Sequence, residues 1–395
     1  MKKIVYRLKD DSEKMEYSVV SVNFDIQSMP LFQNDVLIKV HACGLSSAIK
    51  DYQNLERINM KLNHDTDIPY GREVAGVVIK GYMNVSLNLM AHSSVTRFFL
   101  GDQVVGFIPL DSTYSGCGQF CVISAYNIVH KPVNVSSTLA AASIIDGIRA
   151  YTALHYRAHI EKNSYVLVCD GTSNFGMITM QLALSWGAKV ITIASTEDEK
   201  ILLHTFKEDH NISVIELGNV NNASLISACL ELTGGLGVDV IVDNGVYNNC
   251  LTSVAHEKVR MAVDQNVTSN AASMATDAYN KYRPYVHDII SCLAIGGSWI
   301  TSQADLQIDP PDTEVLYMKG ASVGFIFEHA WTLSSSKQGC FLHILDDLMN
   351  KLASDAIRPN VTQSVSLDDC PYVLSSMGEA DWTFGKRVMV ESSSS

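Results

Sequence analysis

The feature that most limits the possible folds is an alternation of apolar runs and helical segments through the middle of the chain. The apolar runs, which predict strands, lie at 165–169, 189–194, 213–217 and 238–242. The segments between them predict helices at 175–186, about 197–208 and 222–232. Because strands and helices alternate, the sequence predicts a parallel sheet with helices on both faces. Each strand is almost wholly apolar, as a strand covered on both faces requires.

The chain before this region has a different pattern. Short apolar runs punctuated by glycine and proline predict strands at 35–40, 74–79, 102–107 and 119–123. Their uneven spacing favours a small barrel or sandwich over a parallel sheet. A helical stretch then begins at Thr138, and Gly147 is expected to interrupt it.

These patterns divide the chain into three parts. Residues 1–132 form the first part of a β domain, and residues 133–327 form the parallel-sheet domain. Residues 328–395 contain an amphipathic helix, a last strand and a serine-rich tail that we expect to be flexible. The polar stretch 247–284 breaks the alternation, and we interpret it as an insertion that is partly helical or disordered.

Composition excludes several classes of function. The net charge of −13 argues against direct binding to nucleic acid or to anionic lipid. The mean hydropathy is +0.09 and no uncharged apolar run reaches about 18 residues, so no membrane-spanning helix is expected. The nine cysteines include no CxxC pair, which favours a reducing, cytoplasmic setting without a structural zinc.

The first predicted strand of the parallel sheet runs into a glycine-containing turn and then an apolar helix. Gly171, Thr172, Ser173, Phe175 and Gly176 form this turn, in the pattern GxSxxG. Such a turn presents the N–H groups of a helix N-terminus, which suit a pyrophosphate. Serine at the middle position either offers a hydroxyl or crowds the phosphate with its Cβ. A turn that serves packing alone remains an alternative.

The end of the second strand bears on the choice of cofactor. Ser195 stands where a site for NAD usually has an acidic residue for the ribose 2′-hydroxyl. Its small size leaves room for the 2′-phosphate of NADP, and Lys200 lies one helical turn further on. The sequence therefore predicts NADP as cofactor, although the acidic residues 197–199 oppose it and a solvated Lys200 is an alternative.

Several short motifs occur in an order that resembles the medium-chain dehydrogenase/reductase superfamily. They lie at 41–46, 71–76, 101–106, 146–156, 165–176, 187–190, 233–240 and 306–312, so nearly the whole chain is covered. Within the superfamily, the chain is most similar to the quinone oxidoreductase branch, which is zeta-crystallin-like. The resemblance implies a GroES-like β-barrel domain, to which the chain returns at its end, plus a Rossmann domain with a doubly wound parallel sheet. It also implies a cleft between the domains for nicotinamide and substrate, and a homodimer.

The chain departs from the zinc-dependent members of that superfamily at two positions. Ser46 stands in place of a cysteine and Arg72 in place of a histidine, and neither replacement is a suitable zinc ligand. We therefore expect no zinc. A substrate carbonyl would then be polarised by hydroxyl groups, for which Ser46, Ser47 and Tyr52 are the local candidates. Turn capping by the serines and burial of the tyrosine are the alternatives.

Three functions follow from the resemblance and the departures. The first is an NADPH-dependent reductase that transfers a hydride to a small quinone or enone. The second is a catalytically silent subunit of a larger cytoplasmic, endosome-associated adaptor complex, in which partners would make any RNA contact. The third is a binding module regulated by a nucleotide.

Overall fold

A computed structural model describes most of the chain. The described residues are 1–8, 15–32, 34–58, 67–81, 98–205, 211–217, 223–246, 283–377 and 387–391. Residues 247–282 of the predicted insertion, and the serine-rich tail, lie outside the described residues. The chain divides into two compact units. Unit 1 comprises Met1–Ile148 and Glu328–Ser395, and unit 2 comprises Arg149–Phe327.

The described elements follow the chain in this order. The strands are β1 Lys2–Leu8, β2 Met15–Ser21, β3 Asp35–Gly44, β4 Ile68–Pro69, β5 Glu73–Gly81, β6 Gln103–Phe107, β7 Phe120–Ser124, β8 Ile128–His130, β9 Tyr165–Val168, β10 Lys189–Ala194, β11 Ile212–Glu216, β12 Val238–Asp243, β13 Leu293–Thr301, β14 Ser322–Phe325, β15 Val361–Ser366 and β16 Arg387–Glu391. The helices are α1 Ala48–Arg57, α2 Ser137–Ala142, α3 Ile144–Tyr151, α4 Asn174–Ser185, α5 Glu197–His204, α6 Ala223–Leu232, α7 Val286–Cys292, α8 Pro310–Lys319, α9 Gln338–Ala353 and α10 Cys370–Ser376.

Unit 1 is built on a largely antiparallel sheet with the order β15-β16-β3-β5-β6-β8, and β7 also pairs with β3. A second, three-stranded sheet has the order β2-β1-β4. The four strands predicted before residue 132 are all present. The last strand, β16, pairs with β3, so the end of the chain returns to the sheet formed by its beginning. This confirms the predicted combination of an antiparallel β unit with a separate parallel sheet.

The boundary between the units differs from the expected one. Unit 1 continues past residue 132 to Ile148, because α2 packs on β3, β5 and β16. Helix α3 also runs through Gly147, where the sequence predicts a break. A Cβ at Gly147 would lie 2.7 Å from a methyl carbon of Leu348 on α9, so glycine here permits close helix packing.

Unit 2 contains the predicted parallel sheet, with the order β11-β10-β9-β12-β13-β14. All five pairings are parallel, and the order reverses between β9 and β12. The strands bury apolar side chains on both faces, among them Leu167, Ile191, Ile241 and Trp299. Helix formation follows local signals as well: Ser173 caps α4, and Thr196 with Glu199 forms a capping box at α5.

None of the helices within the described ranges is both long and apolar enough to cross a membrane.

Candidate functional site

The candidate nucleotide site lies within unit 2, at the carboxyl ends of its parallel strands. The strand order reverses between β9 and β12, and ligands of open α/β sheets bind at such a reversal. The glycine turn, residues 170–176, connects β9 to the N-terminus of α4. Strand β10 lies on one side of β9, and its end leads through Ser195 into α5.

Both glycines of the turn are required by close packing. A Cβ at Gly171 would lie 2.1 Å from Thr192 Oγ1 on β10, and a Cβ at Gly176 would lie 1.7 Å from the carbonyl oxygen of Asp170. Neither glycine has a positive φ. Gly176 thus brings α4 close to the strand, as predicted, whereas Gly171 serves the approach to β10 rather than a left-handed turn.

Ser173 holds the turn closed with its hydroxyl group. Its Oγ accepts a hydrogen bond from the N–H of Gly176 at 2.9 Å and donates one to the carbonyl of Asp170 at 2.9 Å. Ser173 is 3% exposed. The hydroxyl therefore serves the turn itself. To donate to a phosphate, it would have to give up its bond to the Asp170 carbonyl.

The start of α4 retains groups that suit an anion. Asn174 and Phe175 occupy its first turn, where backbone N–H groups have no acceptor within the helix. Arg149 lies beside them, with its guanidinium carbon 4.2 Å from the centre of the Phe175 ring and its Nη2 donating to Asn244 Oδ1 at 2.7 Å. A cation next to the positive end of a helix is stabilised when an anion lies between them.

Asn174 adds a second indication of a ligand at this place. It is largely buried, and its side-chain oxygen has no hydrogen-bond partner among the described residues. Buried polar atoms of this kind usually meet a water or a ligand. The cradle at the start of α4, formed by the helix N-terminus and Arg149 beside the glycine turn, therefore fits the pyrophosphate of a dinucleotide, whereas the Asn174 oxygen is an acceptor and suits a donor such as water or a hydroxyl group.

The two residues assigned to a 2′-phosphate have carboxylate partners instead. The N–H and the hydroxyl of Ser195 both donate to Glu199 Oε2, each at 2.7 Å. Lys200 lies 2.6 Å from Glu197 Oε1 and 3.5 Å from Glu216 Oε2. The structure thus ties Ser195 and Lys200 to different acids and does not bring them together around a common anion site.

A buried carboxylate supports the sheet next to the strand reversal. Asp243, at the end of β12, accepts hydrogen bonds from Trp299 Nε1, from Thr301 Oγ1 at 2.9 Å and from the N–H of Gly245 at 2.7 Å. Burial raises the pKa of Asp243 to about 6, while these donors act in the opposite direction. Asp243 thereby fixes the segment that carries Asn244.

The three hydroxyl candidates lie around the start of α1 in unit 1. Ser47 caps α1 and accepts from the N–H of Lys50 at 3.5 Å, as the structural alternative proposed. Tyr52 is largely buried on α1, and burial raises its pKa. Ser46 differs, because its Oγ is buried and has no hydrogen-bond partner among the described residues. Of the two serine hydroxyl groups, that of Ser47 caps α1, whereas that of Ser46 has no described hydrogen bond.

The arrangement around Arg72 does not fit a catalytic zinc. Arg72 is 1% exposed, with Nε 3.6 Å from Asp51 Oδ2 and Nη1 donating to the carbonyl of Pro109 at 2.9 Å. Burial raises the pKa of Asp51, and the guanidinium opposes that rise. A guanidinium has no lone pair for a metal, and its charge repels a cation. Within the described ranges, no group of three His, Cys, Asp or Glu side chains is arranged to hold a metal ion.

Sequence reasoning missed three contributors to the nucleotide site. Arg149 and Asn244 are distant in sequence from the glycine turn, and only the folded sheet brings them to α4. The sequence identifies Glu199 only as one of the acids that oppose a 2′-phosphate, whereas the structure shows it as the capping-box residue of α5 and a partner of Ser195. The spacing of a capping box, Thr196 to Glu199, was the available signal.

Known proteins resemble the chain in sequence. It is 37% identical over 337 residues to quinone oxidoreductase-like protein 1 of Mus musculus, and the match covers 85% of each protein. It is 26% identical over 213 residues to the quinone oxidoreductase of Homo sapiens, a match that covers 53% of this chain and 57% of that protein. No model of a protein family matches the chain.

Solved structures share the fold. A mycobacterial quinone oxidoreductase has a TM-score of 0.67 at 19% identity, with 99% of this chain and 100% of that chain covered. A mycobacterial protein solved in complex with NADPH gives the same values. The CurK enoyl reductase has a TM-score of 0.67 at 16% identity and covers the two chains to 99% and 100%. At these identities the likeness concerns the fold alone.

Proposed function

Since the chain belongs to the quinone oxidoreductase branch of the medium-chain dehydrogenase/reductase superfamily, we propose that it is a zinc-independent, nicotinamide-dependent reductase of quinones or enones. The observation that carries this proposal is the cradle at the start of α4. Two glycines that tolerate no Cβ, a helix N-terminus and Arg149 meet there, at the reversal of the sheet. A bound dinucleotide would supply the hydride.

The protein's own residues would bind and orient the cofactor. The N–H groups of Asn174 and Phe175 and the guanidinium of Arg149 would hold the pyrophosphate. A hydroxyl group, for which Ser46 is the candidate, would polarise the substrate oxygen without a metal ion. A quinone is already electrophilic, so one neutral donor is a sufficient polarising group for this substrate class.

The sequence predicts NADPH as reductant, and one structurally similar protein has been solved with NADPH bound. The carboxylate partners of Ser195 and Lys200 favour the form without the 2′-phosphate. We therefore propose nicotinamide dinucleotide as the cofactor class.

A matched pair of variants tests the reductase proposal. Arg149→Gln removes the cation beside Phe175, and Lys189→Gln removes a similar cation over Tyr165, 4.7 Å from its ring centre, at the amino end of β10. The oxidation of NADH and of NADPH is followed with a benzoquinone and with an α,β-unsaturated ketone, before and after treatment with a zinc chelator.

We expect the wild-type protein to turn over and the chelator to leave its activity unchanged. Arg149→Gln should raise the KM for the dinucleotide about tenfold or more, and Lys189→Gln should leave it unchanged. Turnover abolished by the chelator contradicts zinc independence. The absence of turnover with every acceptor, despite dinucleotide binding, contradicts the reductase proposal.

The second candidate function is a silent subunit of a cytoplasmic adaptor complex. The Ser173 hydroxyl favours it, because this group bonds to Asp170 and Gly176 within the turn and the turn needs no ligand to satisfy it. A homodimer, also proposed, would use the sheet edge at β14, where the Phe325 side chain is exposed. Light scattering of the purified protein tests the dimer. Association with cytoplasmic partners that survives Arg149→Gln, in a protein that binds no dinucleotide, would favour the subunit role.

A further inference from the structure

Glu199 belongs to α5 by sequence, but its side chain reaches back to the end of β10. Its Oε2 accepts from the N–H and the Oγ of Ser195, both at 2.7 Å, and from the N–H of Thr196 at 3.3 Å. Its Oε1 accepts from Thr172 Oγ1 at 3.3 Å. Glu199 is 3% exposed. The carboxylate thus joins the end of β10 to the glycine turn after β9.

This position is the one at which a Rossmann sheet meets the adenosine ribose. Specificity between the two dinucleotides depends on the groups at the end of the second strand, where an acid accepts from a 2′-hydroxyl and a cation accommodates a 2′-phosphate. The end of β10 carries no acid of its own, since it continues into Ser195. Glu199 supplies an acid there from the first turn of the following helix.

The cation expected nearby is directed elsewhere. Lys200 pairs with Glu197 on its own helix and with Glu216 on β11. A 2′-phosphate would therefore have to compete with Glu199 for the two donors of Ser195, and it would bring a double negative charge next to a buried carboxylate. A 2′-hydroxyl, by contrast, is neutral and is a hydrogen-bond donor, so it brings no repulsion next to the Glu199 carboxylate.

We infer that Glu199 selects the dinucleotide without the 2′-phosphate, so that the protein binds NADH in preference to NADPH. The inference rests on the proposed function, because it assumes that the cradle at α4 holds a dinucleotide. It assigns the selection to a capping-box residue that performs two tasks: it caps α5, and it occupies the donors that a phosphate would need.

Binding titrations test the inference without any need for turnover. NADH and NADPH are titrated by calorimetry into the wild-type protein, into Glu199→Gln, and into the control Asp198→Asn. Both variants remove one negative charge from the first turn of α5, but Asp198 is exposed and takes part in none of the described bonds of Ser195 and Lys200. Thermal unfolding of the three proteins establishes that each is folded.

We expect wild type and Asp198→Asn to bind NADH about tenfold or more tightly than NADPH, and Glu199→Gln to lose most of that difference through stronger NADPH binding. A wild-type preference for NADPH, or an equal shift in both variants, overturns the inference and leaves the proposed function standing. Failure of the folded wild type to bind either dinucleotide overturns both. If Glu199→Gln does not fold, the ratio for the wild type alone decides.

Discussion

Replacing Ser173 with alanine tests how the start of α4 is held. The change removes the acceptor of the Gly176 N–H and the donor to the Asp170 carbonyl, both in a buried turn. Loss of a helix N-cap costs about 1 kcal/mol, and a buried N–H left without an acceptor costs about 1–3 kcal/mol. Because the two terms overlap, we expect a loss of about 2–3 kcal/mol.

Ser136→Ala is the matched control. Ser136 caps α2 in the same way, because its Oγ accepts a hydrogen bond from the N–H of Leu139 at 3.1 Å, but Ser136 is exposed. Water can replace that bond, so we expect a loss of only about 0.5–1 kcal/mol. Urea unfolding followed by tryptophan fluorescence measures both, and Trp186 directly follows α4. Equal losses for the two variants would refute the argument that burial of the cap determines its contribution.

Three further outcomes follow from the structure. Ser173→Gly removes the Cβ from the turn and should strengthen dinucleotide binding about tenfold; weaker binding in a titration would contradict crowding of the phosphate by the Cβ. Gly176→Ala should yield little folded protein, because its Cβ would meet the Asp170 carbonyl at 1.7 Å, and a normal circular dichroism spectrum and melting temperature would contradict this. Burial raises the pKa of Asp243 to about 6, so its ionisation lowers the stability of the folded protein as pH rises from about 4 to about 6. The free energy of unfolding of Asp243→Asn, relative to that of wild type, should therefore increase by roughly 3 kcal/mol between pH 4 and pH 7. Urea unfolding measures this difference, and a difference independent of pH would contradict the argument.

The sequence predicted the parallel sheet well because its signals are local. Each buried strand is a nearly continuous apolar run, and α4 and α5 begin at a serine and a threonine cap. The prediction of strand 165–169 and helix 175–186 differs by one residue at three of the four ends from the observed Tyr165–Val168 and Asn174–Ser185. The glycine turn was found for the same reason, since its residues are adjacent in the chain.

Contacts between distant residues were not predictable in this way. Gly147 lies within α3, where the absence of a Cβ lets Leu348 of α9 pack closely against the helix. The two positions are far apart in the sequence, so no local pattern shows this contact. Arg149 is brought to the start of α4 by the sheet alone. Glu199 was correctly placed in a first helical turn, but the direction of its side chain depends on the end of β10.

The central claim, that the cradle at the start of α4 binds a nicotinamide dinucleotide, is tested most directly by one titration. Purified protein is titrated with NADH, and the fluorescence of its four tryptophans is followed, with Arg149→Gln and Lys189→Gln in parallel. The account predicts saturable binding with a Kd below about 1 mM, weakened by Arg149→Gln and unaffected by Lys189→Gln. The claim would be contradicted if neither NADH nor NADPH showed saturable binding. It would also be contradicted if the two variants changed binding equally.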